Sequence, residues 1–231
     1  PDNSNLRKNH APLADFVRGA MQVPLGFQPG TKYEYSSMAI LLACEIAQRI
    51  AQQDFLKLVQ SSVLDPLAMS RSAIGLGQLR IEETVPMQIE HAAPEAGGGD
   101  PTAKEWDWNS VYWRRLGAPW GGVHASAGDV LKFLDAFVSP NPKFLSADTA
   151  RLAIRNHNAG LRVPRGLGFA IGPLALVPGC SEQTFGHTGS TGTLAWRDPS
   201  CELACVVLTG LPGQAVKPHP RELASACITR V

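Results

Sequence analysis

Residues Phe185–Pro199 read FGHTGSTGTLAWRDP. Gly186, Gly189 and Gly192 surround His187, Thr188 and Ser190 ahead of a short apolar run. Glycine in a strand allows close approach by a ligand or another backbone. A strand whose N–H groups face a cleft can hold a substrate carbonyl or an oxyanion. His187 offers a donor or an acceptor near neutral pH; taken alone, it fits a purely structural histidine equally well. Working outward, TLAWR and ELACVVLTG are strand-like and are joined by the turn residues Asp198, Pro199 and Ser200. In the second strand Leu203, Cys205 and Val207 point one way, and Ala204, Val206 and Leu208 the other. Both faces are apolar, so this strand is expected to be covered on both sides. PRELASACITRV, from Pro220, reads as a helix that could supply one cover.

Upstream the pattern is mainly helical. SSMAILLACEIAQRI (Ser36–Ile50) is apolar on nearly every side through Leu42, which predicts a buried helix. DFLKLVQSSVL places Phe55, Leu58, Val59, Ser62 and Val63 on one helical face, with Asp54 as cap and Pro66 forcing the end. SAGDVLKFLDAFV opens on Ser126-x-x-Asp129, a capping box, and carries the stripe Val130, Leu131, Leu134, Phe137, Val138. APEAGGGDP (Ala93–Pro101) reads as a flexible loop. KEWDWNSVYWRR (Lys104–Arg115) is expected to pack as a lid on the core, with a substrate mouth as the rival reading and Arg114 and Arg115 on a solvated face. The predicted class is α+β. Residues 1–160 form a mainly helical region, and residues 161–231 form a sheet hairpin and closing helix.

The totals bound the function. A chain of 231 residues is ample for a core. A formal net charge of +1 gives no sign of a nucleic-acid partner. No apolar run approaches the roughly 18–20 residues of a spanning helix, so no membrane span is expected. The six histidines show no H-E-x-x-H spacing, so no metal site is expected, and no cofactor is implied. The five cysteines contain no C-x-x-C and are taken as buried thiols, with room for one disulfide. Cys201 and Cys205 flank one strand, roughly 13 Å apart, too far to bridge each other. The start, PDNSNLRKNH, has neither an initiator Met nor an apolar signal-peptide core.

FQPGTKYEYSSMAILL adds further polar candidates. Tyr35, Ser36 and Ser37 sit where a Pro29-Gly30 turn enters the predicted helix. Alone they fit a packed aromatic and a Ser37 N-cap. Together with GAPWGGVHASAGDVLKFL, GLGFAIG and FGHTGSTGTLAWRDP, in this order over nearly the whole chain, they resemble the serine β-lactamase-like and penicillin-binding-like hydrolases. The nearest resemblance is to the branch of class C β-lactamases, D-alanyl-D-alanine carboxypeptidases and esterases. SSVLDPLAMS also resembles that family's Pro-Leu-Gly-Met segment. The resemblance implies a helical domain and an antiparallel sheet flanked by helices, with the site between them.

By that resemblance Tyr35 matches the Tyr of Tyr-x-Asn and would move protons to or from nucleophile and leaving group. Ser37 stands where the family has Asn, a departure, since a hydroxyl is shorter and offers one donor rather than two. His187, Thr188 and Gly189 match the Lys-Thr-Gly or His-Thr-Gly strand, with Thr188 and Gly189 contacting substrate, and Ser190 N–H would be half of an oxyanion hole. His187 would contact substrate or steady Tyr35. An imidazole is only partly charged at neutral pH. That favours ester or peptide substrates, small molecules or peptides, over anionic β-lactams.

The chemistry implied requires Ser-x-x-Lys, in which one helical turn lets the amine activate the hydroxyl. The residues three before the seven lysines are Asn5, Pro29, Asp54, Pro101, Asp129, Pro140 and Gln214, so the motif is absent. PDNSNLRKNHAPLADFV resembles the region just downstream of the family's nucleophile helix. Two accounts stay open: an incomplete chain whose Ser-x-x-Lys and first strands lie upstream, or a short protein that kept the scaffold as a non-catalytic binding module.

Overall fold

The computed structural model describes residues 3–173 and 179–229. It divides into two compact units, Pro1–Leu64 with Arg71–Ala125, and Asp65–Ser70 with Ser126–Val231. The helices Ala127–Val138 and Ala147–Ala153 group with the sheet in the second of these units. No helix among the described residues is long and apolar enough to cross a membrane.

The first unit holds α1 (Asn3–Lys8), α2 (Leu13–Met21), α3 (Ser37–Ala51), α4 (Phe55–Val59), a two-stranded ribbon and α5 (Val111–Leu116). The ribbon pairs β1 (Ser72–Ile74) antiparallel with β2 (Val123–Ala125), Ala73 opposite His124. Its core gathers Ala11, Phe16, Val17 and Leu41, with Leu116 and Trp120 packed against them. Asp54 caps α4 as expected, its carboxylate accepting the Leu56 and Lys57 N–H groups. The helix then widens into a π-turn at Gln60–Leu64. That extra residue per turn breaks the predicted stripe, so Ser62 is exposed and Leu64 is buried instead.

Four expectations are corrected here. Helix α3 is not buried all round: Leu41 alone is buried, while Ile40, Ile46 and Ile50 are exposed. Helices α2 and α4 pack against it and still leave those isoleucines exposed. Arg114 is buried, 4% exposed, rather than solvated. Its guanidinium donates to Trp108 O, Val85 O, Thr84 Oγ1 and Asn109 Oδ1, which satisfies the donors that burial takes from water. The glycine-rich stretch is packed, not loose. Ala96 is buried, and Glu95 O accepts from Arg7 Nη1 at 2.7 Å. Arg7 itself lies 3.8 Å over the Trp113 ring, and burial pushes its pKa down to about 10, which leaves it charged at neutral pH. Trp106 and Trp113 are both buried, so the tryptophan-rich segment does pack on the core. Finally, the five thiols are all free and only Cys205 is buried, while Cys201 and Cys227 are exposed.

The second unit carries α6 (Ala127–Val138), α7 (Ala147–Ala153), four strands and α8 (Pro220–Ile228). Ser126 Oγ caps α6 by accepting Asp129 N–H. The strands β3 (Ala170–Ile171), β4 (Phe185–Thr188), β5 (Leu194–Asp198) and β6 (Leu203–Val207) lie antiparallel in that order. The class expected from sequence, α+β with an antiparallel sheet flanked by helices, is the one observed.

Register sorts the two faces. Phe185 opposes Arg197, and His187 opposes Ala195, so these four share a face. On that face Phe185 packs with Leu134 and Phe137 of α6, Ala150 of α7, and Phe169 and Ile171 at β3. Phe137, Phe169 and Phe185 meet edge-on, with ring centroids 4.9–6.1 Å apart. On the other face Leu194, Trp196 and Cys205 pack with Ile228 of α8. Trp196 is fully buried, and its Nε1–H donates to Ser225 Oγ at 2.7 Å.

The β5–β6 connection is stapled by Asp198, 1% exposed. Its carboxylate accepts from Ser181 N–H, Ser181 Oγ–H, Thr184 Oγ1–H and Ser200 N–H at 2.7–2.9 Å. Burial alone would raise its pKa, but these donors outweigh burial and hold it below the usual aspartate value.

Ala68, in the Pro-Leu-Ala-Met stretch where the resembled family has glycine, sits at φ 50. A Cβ in the left-handed region costs about 1–2 kcal/mol. Ala68 is exposed, so its methyl buries little. Glycine gives back about 0.5–1 kcal/mol of unfolded-chain freedom. Ala68→Gly is therefore expected to stabilise by about 0.5 kcal/mol and to raise Tm by about 1–2 °C. A lower Tm in thermal melts would show that the strain is not there.

Candidate active site

The sequence candidates fall into two groups, one in each unit. Tyr35 and Ser37 stand together at the mouth of α3. Tyr35 is 60% exposed. The helix cap is Ser36, whose Oγ accepts Ala39 N–H at 3.2 Å, so the capping task expected of Ser37 falls on its neighbour. Ser37 is the first helical residue and its side chain is exposed.

His187, Thr188, Gly189 and Ser190 are brought together in the second unit, at the end of β4 and in the turn to β5. Strand β3 pairs with Phe185 and Gly186 only. Among the described residues, His187 and Thr188 therefore have a strand neighbour on the β5 side alone. His187 Nδ1 lies 2.6 Å from Thr188 O. A carbonyl can only accept, which assigns the proton to Nδ1 and the lone pair to Nε2. Burial pushes the His187 pKa below its usual value. The Arg165 charge adds to that, while the bond to Thr188 O opposes it. The imidazole is thus neutral at pH 7.

Four carbonyls of the turn Gly189–Thr193 are occupied, those of Gly189, Ser190, Gly192 and Thr193. Gly189 N–H donates to Thr193 O, and Gly192 N–H donates to Gly189 O. Gly213 N–H donates to Ser190 O at 2.9 Å, and Thr209 Oγ1–H to Gly192 O at 3.2 Å. Arg221 Nη1 reaches both Gly189 O and Thr193 O. Among the described residues, no acceptor meets Ser190 N–H. The turn thus presents the Ser190 N–H on the side opposite the held Gly189 carbonyl, which is the polarity an oxyanion requires. Gly192 is obligatory at φ 86, since a Cβ there would stand 1.9 Å from Leu211 O.

Arg221, Gly213 and Thr209 were not legible as site residues. They lie 17–32 positions in sequence from the carbonyls they bond and carry no local signature; register and helix packing alone bring them behind the turn.

A sheet with helices on both faces, a His-Thr-Gly strand and a donor-rich turn define the class of penicillin-binding-like and β-lactamase-like hydrolases. The family model described as Beta-lactamase matches residues 1–227, and the chain belongs to that family. A putative D-alanyl-D-alanine carboxypeptidase of Escherichia coli O157:H7 is 26% identical over 218 residues, covering 84% of this chain and 49% of the relative. The chain therefore spans about half the length of the curated relatives it matches. Among solved structures, a penicillin-binding protein homolog from Caulobacter crescentus superposes with TM-score 0.68 at 18% identity, covering 98% of this chain and 66% of that one. EstCE1, a hydrolase with promiscuous acyltransferase activity, superposes with TM-score 0.72 at 18% identity, covering 93% of this chain and 61% of that one. These structural likenesses carry the fold. The family's relatives bear carboxypeptidase, esterase and acyltransferase names.

Proposed function

We propose that this chain is part of a serine hydrolase that works through an acyl-enzyme on carboxylester or amide and peptide carbonyls. The observation that carries the reading is the Gly189–Thr193 turn: the Gly189, Ser190, Gly192 and Thr193 carbonyls are held by protein donors, while among the described residues no acceptor meets Ser190 N–H. In the proposed reaction a serine hydroxyl outside the 231 residues attacks the carbonyl carbon. Tyr35 and a lysine, also outside the chain, take its proton and pass it to the leaving oxygen or nitrogen. Ser190 N–H donates to the carbonyl oxygen and stabilises the negative charge that develops there. Thr188, Gly189 and Ser37 contact substrate. Because burial keeps His187 neutral, this position supplies an acceptor rather than a fixed cation. That favours neutral ester and amide carbonyls over anionic β-lactams.

The test is intact-mass analysis of the protein from its source, followed by fluorophosphonate labelling. The expected result is a polypeptide containing these residues and labelled at the Ser of a Ser-x-x-Lys. Its ester hydrolysis should hold through pH 6.5 and fall only below it, as the depressed His187 pKa is crossed and the neutral imidazole is lost. A native protein that takes no label would end the hydrolase reading and leave the binding module. A rate already half lost above pH 6.5 would assign the acid limb to a group other than His187.

A further inference from the structure

The proposed oxyanion turn is held from behind by α8. Arg221 is the second residue of that helix, and its Nη1 donates to Gly189 O at 2.8 Å and to Thr193 O at 3.0 Å. Those carbonyls also accept the Gly192 and Gly189 N–H groups, so one guanidinium clips the two ends of the turn together. Gly213 makes room for it, since a Cβ there would lie 2.8 Å from Nη2 and 2.9 Å from Nη1. The start of α8 fixes Arg221 in turn. His219 is fully buried, accepts Arg221 N–H at Nδ1 (3.1 Å), and from Nε2 donates to Leu211 O at 3.0 Å.

The covalent geometry of the peptide gives these contacts a direction. Gly189 C=O and Ser190 N–H belong to the same planar trans unit, so they point opposite ways. Drawing the oxygen toward α8 aims the hydrogen away from it. A cation bound at the oxygen also polarises the unit and strengthens the N–H as a donor.

We propose that Arg221 is a positioning residue that aims and polarises the Gly189–Ser190 peptide, acting on the oxyanion without touching substrate. The proposal rests on the acyl-transfer reading of this turn. Arginine is permanently charged, and its Nη1 alone donates to two carbonyls at once, which methionine of similar length cannot do.

The experiment compares Arg221→Met, Arg221→Lys and Gly213→Ala. In the 231-residue chain, the Ser190 amide 15N resonance is expected to move in Arg221→Met and Gly213→Ala and to return most of the way in Arg221→Lys, while resonances of α6 stay in place. In the fluorophosphonate-reactive native polypeptide, kcat for an aryl ester is expected to fall by about tenfold to a hundredfold in Arg221→Met, with KM within about twofold, and to recover partly in Arg221→Lys. An unmoved Ser190 resonance in both Arg221→Met and Gly213→Ala overturns the proposal. So does a loss that Lys does not rescue and that follows Tm alone. If Arg221→Met does not fold, Gly213→Ala and Arg221→Lys carry the same readouts. If the wild type shows no turnover, the hydrolase reading falls, and the Ser190 resonance still decides whether Arg221 acts on that peptide.

Discussion

Asp198→Ala is expected to lower the unfolding free energy by about 3–4 kcal/mol. The carboxylate is 1% exposed and accepts four hydrogen bonds from Ser181, Thr184 and Ser200. Alanine leaves those donors facing one another, and each stranded buried donor costs about 1–3 kcal/mol. Ser200 and Ser181 lie close enough to solvent for water to recover part of that, which keeps the sum at the low end. Asp198→Asn should fall between, because an amide replaces one acceptor oxygen with a donor group aimed at existing donors. The pH dependence has a fixed sign. The folded carboxylate titrates below its ordinary value, so its contribution is complete above about pH 4 and is lost as pH falls through the lower folded value. Urea titrations at pH 7 and pH 3 should show the gap between wild type and Asp198→Asn closing in acid. A gap of equal size at both would rule out the charged staple.

Gly192→Ala is expected to abolish the turn's function and to destabilise the unit by about 3 kcal/mol. Residue 192 sits at φ 86, where a Cβ costs about 1–2 kcal/mol before any contact is counted. The added carbon would also lie 1.9 Å from Leu211 O and 2.5 Å from Thr209 Oγ1. Leu211 O is backbone and is already bound to buried His219, so it cannot give way as a flexible side chain would. The turn must open, and the Thr209 bond to Gly192 O is lost with it. In the native polypeptide, fluorophosphonate labelling should slow by about a hundredfold or more, the scale of losing an oxyanion donor. An alanine variant that labels at the wild-type rate would show that the turn has no part in the chemistry.

The elements legible in the sequence were those whose signals are local. The β5–β6 hairpin shows alternation and turn residues, α8 opens on proline, and Asp54 and Ser126 announce their helices. The family followed from ordered motifs, of which His187–Ser190 form one continuous strand end and turn. What escaped was set by distance along the chain. Strands of three residues, such as Ser72–Ile74 and Val123–Ala125, show no period, and their pairing joins segments about fifty positions apart. Helix α3 has the composition of a core helix, but Leu41 alone is buried, a fact that no property of its own residues encodes. Arg114 looked like surface because it is charged, and only the four acceptors folded around it explain its burial. Arg221 was invisible for the same reason, since its role exists only once α8 lies behind the turn.

The distribution of indoles gives the two units separate optical signatures. Of the five tryptophans, Trp106, Trp108, Trp113 and Trp120 belong to the first unit, and Trp196 is alone in the second. Replacing the four by phenylalanine would leave one fluorophore, sealed in the sheet and hydrogen-bonded to Ser225. Its emission would then follow the docking of the last helix on the strands, the same event that seats the guanidinium behind Ser190.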